Sequence, residues 1–195
     1  KTASRTLRDI ATLLEVQGES VHRVRALANA SRTVERIEGD LGSMVASGEI
    51  LDIKGIGKGT AAILEQLRDG EKPDALVEAE EAVPSGVRKM LRIPGLGPKK
   101  VRALWRDLDL SSVGELEYAC HENRLVELPG FGAKTQERLI DAIRYSRIAE
   151  KRKLIDEAWS QAKTIATPLL ELGGVVNAEV AGEVRRACET AGSLE

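Results

Sequence analysis

Apolar side chains recur at helical spacing along almost the whole chain. Leu7, Ile10, Leu13 and Leu14 follow Ser4, which reads as the N-cap of a first helix ended by Gly18. A second helix is predicted from Ser20, with Val21, Val24, Leu27, Ala28, Val34 and Ile37 on one face and Gly39 as its close. Asp40 reads as the cap of a short helix through Ala46, stopped by Gly48. The same periodicity predicts helices over 58–69, 74–82, 86–91, 98–108, 112–122, 133–150 and 153–172. Strand character is confined to residues 175–180, which alternate after Gly173-Gly174. The expected architecture is an all-α body with one strand near the C-terminus, where a different domain begins.

Three stretches between these helices repeat one another. They are Ile53-Lys54-Gly55-Ile56-Gly57-Lys58, Ile93-Pro94-Gly95-Leu96-Gly97-Pro98-Lys99 and Leu128-Pro129-Gly130-Phe131-Gly132-Ala133-Lys134. Each has the order apolar, any, Gly, apolar, Gly, and each precedes a longer amphipathic helix. Gly55, Gly95 and Gly130 stand 40 and 35 residues apart. One Gly-x-Gly is a common connector between helices. Three copies in equivalent contexts, each trailed by lysine, point to a shared task.

The physical chemistry of a helix start suggests that task. The first N–H groups of a helix have no partner within it, and the helix dipole leaves partial positive charge there. Paired glycines permit a tight turn and a close approach of phosphate to backbone. The apolar residue between them is placed to plug into the core. Lys58 in the first hairpin, Lys99 and Lys100 in the second and Lys134 in the third add first-turn charge. Arg102 and Arg106 extend the second helix's basic edge, and Arg138 the third's. Such contacts hold phosphates and read no base edges, so binding of DNA through them is expected to be sequence-independent and salt-sensitive.

Composition changes this picture only when it is divided. The chain has 195 residues and a formal net charge of −2. Residues 1–83 carry 11 basic and 15 acidic side chains, residues 84–153 carry 15 and 9, and residues 154–195 carry 3 and 7. A basic centre therefore lies between acidic ends, and the second and third hairpins fall inside it. A local patch matters more to a phosphate backbone than total charge does. With aromatics at 3%, aliphatic side chains must build the core. No apolar run approaches the ~18 residues of a spanning helix. No charged-then-apolar leader precedes the first helix, so no signal peptide is expected. Cys120 and Cys188 form no CxxC, which disfavours a disulfide scaffold or zinc site and makes a reducing cytoplasm the expected compartment. A start at Lys1 reads as a fragment or processed chain, and Leu194-Glu195 as a cloning scar.

The hairpins resemble helix–hairpin–helix motifs, and their order resembles the X family of DNA polymerases, with bacterial members as the nearest pattern. Residues 7–70, with His22-Arg23-Val24-Arg25-Ala26 and Gly55-Ile56-Gly57-Lys58-Gly59-Thr60-Ala61-Ala62, look like that family's N-terminal lyase-like domain. Residues 93–147 look like the DNA-binding domain that follows. Residues 181–195, Ala-Gly-Glu-Val-Arg-Arg-Ala-Cys-Glu-Thr-Ala-Gly-Ser-Leu-Glu, look like the first motif of the palm. The resemblance implies two small helical domains with three helix–hairpin–helix motifs, over 1–83 and 84–152, and the start of an α/β nucleotidyltransferase over 153–195. It also implies that DNA is contacted at Gly55, Gly57, Lys58, Gly95, Gly97, Lys99, Lys100, Arg102, Gly130, Gly132, Lys134 and Arg138, with His22 and Arg23 in a phosphate pocket. A Na⁺ or K⁺ ion held by the main-chain carbonyls of Ile53, Ile56, Ile93, Leu96, Leu128 and Phe131 is implied too, and no other cofactor.

Departures from the family pattern bear on chemistry. The lyase lysine position holds Ile63, which is no nucleophile. Other pocket positions hold Leu27, Leu51 and Gly59. In the palm motif, the triphosphate-holding serine position is Glu183, the arginines survive as Arg185 and Arg186, and the metal aspartates fall on Ser193 and Glu195. Two-metal catalysis requires closely placed carboxylates. The expectation is therefore a non-catalytic, cytoplasmic, nucleoid-associated module of DNA repair that grips gapped, nicked or branched DNA. Two alternatives stay open at this point: a piece of an active repair polymerase or nuclease whose catalytic domains lie elsewhere, and a protein-interaction module that keeps the hairpins as packing elements. Trp105 and Trp159 are expected as core or interdomain anchors.

Overall fold

The computed structural model describes residues 2–172 and 174–192. They form two compact units that divide between Ile140 and Asp141. In chain order the helices are α1 (Thr2–Gln17), α2 (Val21–Glu35), α3 (Leu41–Ser47), a 3₁₀ turn (Glu49–Asp52), α4 (Lys58–Arg68), α5 (Asp74–Ala82), α6 (Ser85–Met90), α7 (Pro98–Asp107), α8 (Val113–His121) and α9 (Ala133–Lys151). After α9 come β1 (Lys153–Leu154), α10 (Ile155–Leu170), α11 (Gly182–Arg185) and β2 (Thr190–Ala191). The chain is mainly helical, as the periodicity predicts.

The first unit is built on the apolar stripes. Leu7, Ile10, Ala11 and Leu14 of α1 pack with Leu27, Ala30 and Val34 of α2, and with Ile56, Ala61, Ile63 and Leu64 around α4. Fully burying one such aliphatic side chain contributes about 1.5–3 kcal/mol, so this stripe outweighs the weak helix propensity of its valines and isoleucines. Val83, Val87, Met90, Val101, Leu104, Leu116 and Leu125 are likewise buried, further along the same unit. Helix α1 packs along α2 and also touches α4, α5 and α7, which joins the helices of the first and second hairpins, α4 and α7. Gly18, at φ +88°, ends α1 as expected, and the N–H groups of Gly18 and Glu19 both return to the Leu14 carbonyl. Asp40 caps α3 by accepting from the N–H groups of Gly42 and Ser43, and the Ser43 hydroxyl first, with those N–H groups after it, holds its carboxyl below the usual carboxylate range.

Three local expectations are corrected. Ser4 is no N-cap: α1 begins at Thr2, and Ser4 is buried against α2, where the Ser31 hydroxyl donates to the Ser4 carbonyl at 2.8 Å. Gly39 does not close α2, which ends at Glu35 with Arg36 as its C-cap. Residues 175–180 form no strand, and Val176 is 98% exposed. An alternating hexapeptide becomes a strand only beside a neighbouring ladder, and this one pairs with none among the described residues.

The second unit has a small core of Ala158, Ala162, Val184 and Ala191, against which Ile155, Trp159 and Val180 pack. Its β1 and β2 pair antiparallel over two residues. Arg152 ties the end together: its guanidinium donates to the Thr190 carbonyl at 2.8 Å and to the Glu183 carboxylate at 3.1 Å. The Gly192 N–H also donates to Glu183, at 2.8 Å. That N–H first, and Arg152 second, hold the Glu183 carboxyl below the usual carboxylate range. Where a triphosphate-holding serine is expected from the resemblance there is thus an internal anion already engaged by donors. Ser193 and Glu195, which the resemblance puts at metal-aspartate positions, and Leu194 beside them, lie outside the described residues.

One close backbone approach sets a stability test. A Cβ added to Gly86 in α6 would stand 2.1 Å from the Ser111 carbonyl oxygen and 3.1 Å from the Ser112 Cα. Backbone cannot swing aside as a side chain can, so Gly86→Ala is expected to cost about 2 kcal/mol. A lower urea midpoint at unchanged slope is the expected result, and an unchanged midpoint would show that the α6–α8 contact gives way freely.

Candidate nucleic-acid interface

The three repeats adopt one backbone design. In each, a bend and a two-residue turn lead through two residues of irregular backbone into a helix. The turn closes with an N–H to carbonyl bond between its apolar ends: Ile56 to Ile53 at 3.0 Å, Leu96 to Ile93 at 3.1 Å and Phe131 to Leu128 at 3.1 Å. The first glycines, Gly55, Gly95 and Gly130, occupy the third turn position at φ +98°, +89° and +87°. That is the glycine position of a type II turn, and Pro94 and Pro129 fill the position before it, where proline is favoured. The apolar residue between the glycines plugs the core as expected: Ile56, Leu96 and Phe131 are 5%, 4% and 0% exposed.

The second glycine has a different explanation. Gly57 and Gly97 sit at φ −97° and −83°, ordinary extended backbone at the N-cap of α4 and α7. A Cβ added at Gly57, Gly97 or Gly132 would meet no protein atom within 4 Å. Neither strain nor internal packing calls for glycine at these three places. What remains is access: the bare backbone lets an outside group come close to the first N–H groups of the helix. No side chain caps α4 or α7, so those N–H groups stay available to an anion.

The cations around these starts separate by surroundings. Lys58, Lys99, Lys134 and Arg138 are exposed and form no ion pair among the described residues. Lys100 is half-buried, with its ammonium 5.4 Å from the centre of the Phe131 ring, so it clips the second hairpin's helix to the third hairpin's plug. The Arg102 guanidinium lies against Gly18, close enough that a Cβ there would overlap it. Arg106 stacks on Trp105 at 3.7 Å, and that indole is only half-buried. Arg25 of α2 joins Lys99, Arg102 and Arg106 around a cleft of about 520 Å³, which Glu15, Glu19 and Asp107 also line. Arg25 is not distinguished by the sequence pattern, because the approach of α2 to α7 is a long-range contact.

The first hairpin faces different surroundings. Gly55, Gly57 and Gly59 line a cleft of about 830 Å³ together with Arg23, Leu27 and Ile63. The structure thus gathers most of the lyase-like positions in one place, but His22 and Leu51 are exposed outside it. Ile63 is 7% exposed and belongs to the core. Arg23 is held by Glu19 at 3.6 Å.

Comparison with known proteins agrees with this geometry. Residues 2–72 match a helix-hairpin-helix domain, and residues 87–144 match a SAM-like helix-hairpin-helix tandem. Over all 195 residues the chain is 30% identical to the DNA polymerase/3'-5' exonuclease PolX of Bacillus subtilis. Two stretches of the chain thus match helix-hairpin-helix models, and the chain over its whole length is similar to this bacterial polymerase. It spans 34% of that polymerase's length. The Holliday junction branch migration complex subunit RuvA of Stutzerimonas stutzeri is 33% identical over 86 residues, 44% of this chain and 38% of RuvA. RuvA of Pseudomonas paraeruginosa is 32% identical over 84 residues, 43% of this chain and 37% of that subunit. The three hairpins share one turn geometry, and the cleft beside the first has aliphatic and glycine residues, Leu27, Gly59 and Ile63, at positions expected for lyase chemistry. Among the described residues, no helix is long and apolar enough to cross a membrane.

Proposed function

We propose that this region binds DNA through its sugar–phosphate backbone without reading sequence, chiefly with the second and third hairpins. The observation that carries the proposal is the second glycine of each hairpin, in ordinary extended backbone at Gly57 and Gly97 and open-faced at Gly57, Gly97 and Gly132, set before a helix start with exposed lysine. The basic balance of residues 84–153 favours hairpins two and three over the first, whose glycines border a cleft rimmed by carboxylates. The turn carbonyls of Ile53, Ile93 and Leu128 each accept one hydrogen bond, which leaves a second lone pair apiece. A Na⁺ or K⁺ ion bridging such carbonyls to a phosphate oxygen fits that arrangement, with water completing its coordination. Gapped, nicked or branched DNA is the proposed partner and repair in the bacterial cytoplasm and nucleoid the proposed setting, supported by the polymerase and junction-complex names of the relatives.

The test is fluorescence anisotropy with duplex, gapped and branched DNA of several sequences across a salt series. If about four phosphates are contacted, log affinity should fall against log salt with a slope of roughly −3 to −4, nearly the same for every sequence. Absence of binding to any form at low salt would sink the proposal. Borohydride treatment with abasic DNA should trap no adduct, because Ile63 offers no amine. A trapped adduct would favour a second reading, in which the region retains lyase chemistry as part of a longer repair enzyme.

A further inference from the structure

The cleft beside the first hairpin combines an apolar floor with an acidic rim. Its floor is apolar: Ile10, Leu27 and Ile63 face it from three helices. Its rim is acidic, with Glu65 and Asp69 on α4 and Asp74 and Glu78 on α5. Arg23 is the one cationic side chain among the lining residues, and Glu19 engages it at 3.6 Å. Asp69 is paired with Arg68 at 2.8 Å, and Asp74 accepts from the Gln66 amide at 2.7 Å. Glu65 and Glu78 form no ion pair among the described residues, and both are exposed. Like charge on the rim repels a phosphate from the place where the fold could otherwise seat one.

From this we propose that the cleft is a docking site for a basic amphipathic segment of a partner protein. One or two aliphatic side chains of that segment would cover the floor, and flanking lysines or arginines would meet Glu65 and Glu78. Charge complementarity selects this occupant: an acidic peptide or nucleic acid meets the same repulsion, and a neutral apolar segment leaves the rim carboxylates unanswered. A pocket of about 830 Å³ is ample for two leucine-sized anchors with their flanks. The inference stands apart from DNA binding at the second and third hairpins, and either can fail alone.

The test is a nitrogen-15 shift titration of the full chain with a peptide of about 14 residues, four helical turns, carrying leucines on one face and lysines on the other. An oligolysine of equal length is the control. The expected result is shift changes concentrated at Arg23, Ala26, Gly59, Ala62 and Ala75, with binding about tenfold tighter than oligolysine. Glu65→Lys with Glu78→Lys should weaken binding about tenfold or more by charge. Ala62→Trp should weaken it comparably by filling the cleft with no change of charge. All three positions are exposed, and thermal melts monitored by circular dichroism would verify that the variants fold. The proposal is overturned if the wild-type shifts map elsewhere, if oligolysine binds equally well, or if neither variant changes the affinity. It is also overturned if a 5′-phosphorylated oligonucleotide, and not the peptide, moves the cleft signals.

Discussion

Lys99→Glu together with Lys134→Glu is expected to weaken DNA binding about hundredfold or more. Both lysines are exposed in the first turn of a hairpin helix, and neither holds an ion pair among the described residues. A hydrogen bond to a charged partner is worth about 1.5–3 kcal/mol, so losing two removes roughly 3 kcal/mol before any repulsion by the new carboxylates. The salt slope should flatten by roughly 2, because two phosphate contacts no longer release counterions. Thermal stability should stay the same, since neither side chain packs on the core. Lys100→Ala should behave differently. Its ammonium over Phe131 contributes about 0.5–1 kcal/mol to the fold, so a loss of stability accompanies any loss of binding. Anisotropy and melting curves on the same preparations check all of this, and a double variant that binds as tightly as the parent would show that DNA does not use these helix starts.

Gly97→Thr with Gly132→Thr is expected to lower DNA affinity about hundredfold while leaving stability unchanged or slightly raised. Threonine serves as an N-cap at least as well as glycine, the Gly97 backbone already suits it at φ −83° and ψ 170°, and a new Cβ at either site meets nothing inside the protein. The added atoms would stand where the phosphate must approach, lengthening hydrogen bonds that each contribute about 1.5 kcal/mol or more. Gly95→Thr is the counterpart. At φ +89° it should cost about 1–2 kcal/mol of stability, because L side chains are disfavoured in that region. The two glycines of one hairpin thus separate into a conformational role and an access role. If the double threonine variant unfolded, or bound DNA undiminished, the access role would be wrong.

Much of the fold was legible along the chain. Helix α5 begins and ends where the periodicity places it, and Asp40 and Gly48 bracket α3 as cap and stop. These features rest on bonds within a few residues, which a linear pattern can show. Ser4 misled because a serine near a helix start and a buried serine look alike until Ser31 of α2 is brought beside it. Residues 175–180 misled because alternation signals a strand only when another strand pairs with it. Within the candidate interface, the glycines, the plugs and the first-turn lysines were readable from repetition. The different surroundings of Lys99, Lys100 and Arg102 were not, since Phe131 and Gly18 reach them from distant parts of the chain.

By itself, then, the sequence determined a helical chain with three glycine turns feeding helix starts, and a basic centre. Each follows from local geometry or residue type. Only the tertiary structure decided which lysines are free, that the second glycines face open space, that Glu183 is held by Arg152 and the Gly192 N–H, and that an acidic rim surrounds the apolar floor beside the first hairpin. Those properties depend on packing between segments far apart in the chain, where burial and charge neighbours are set.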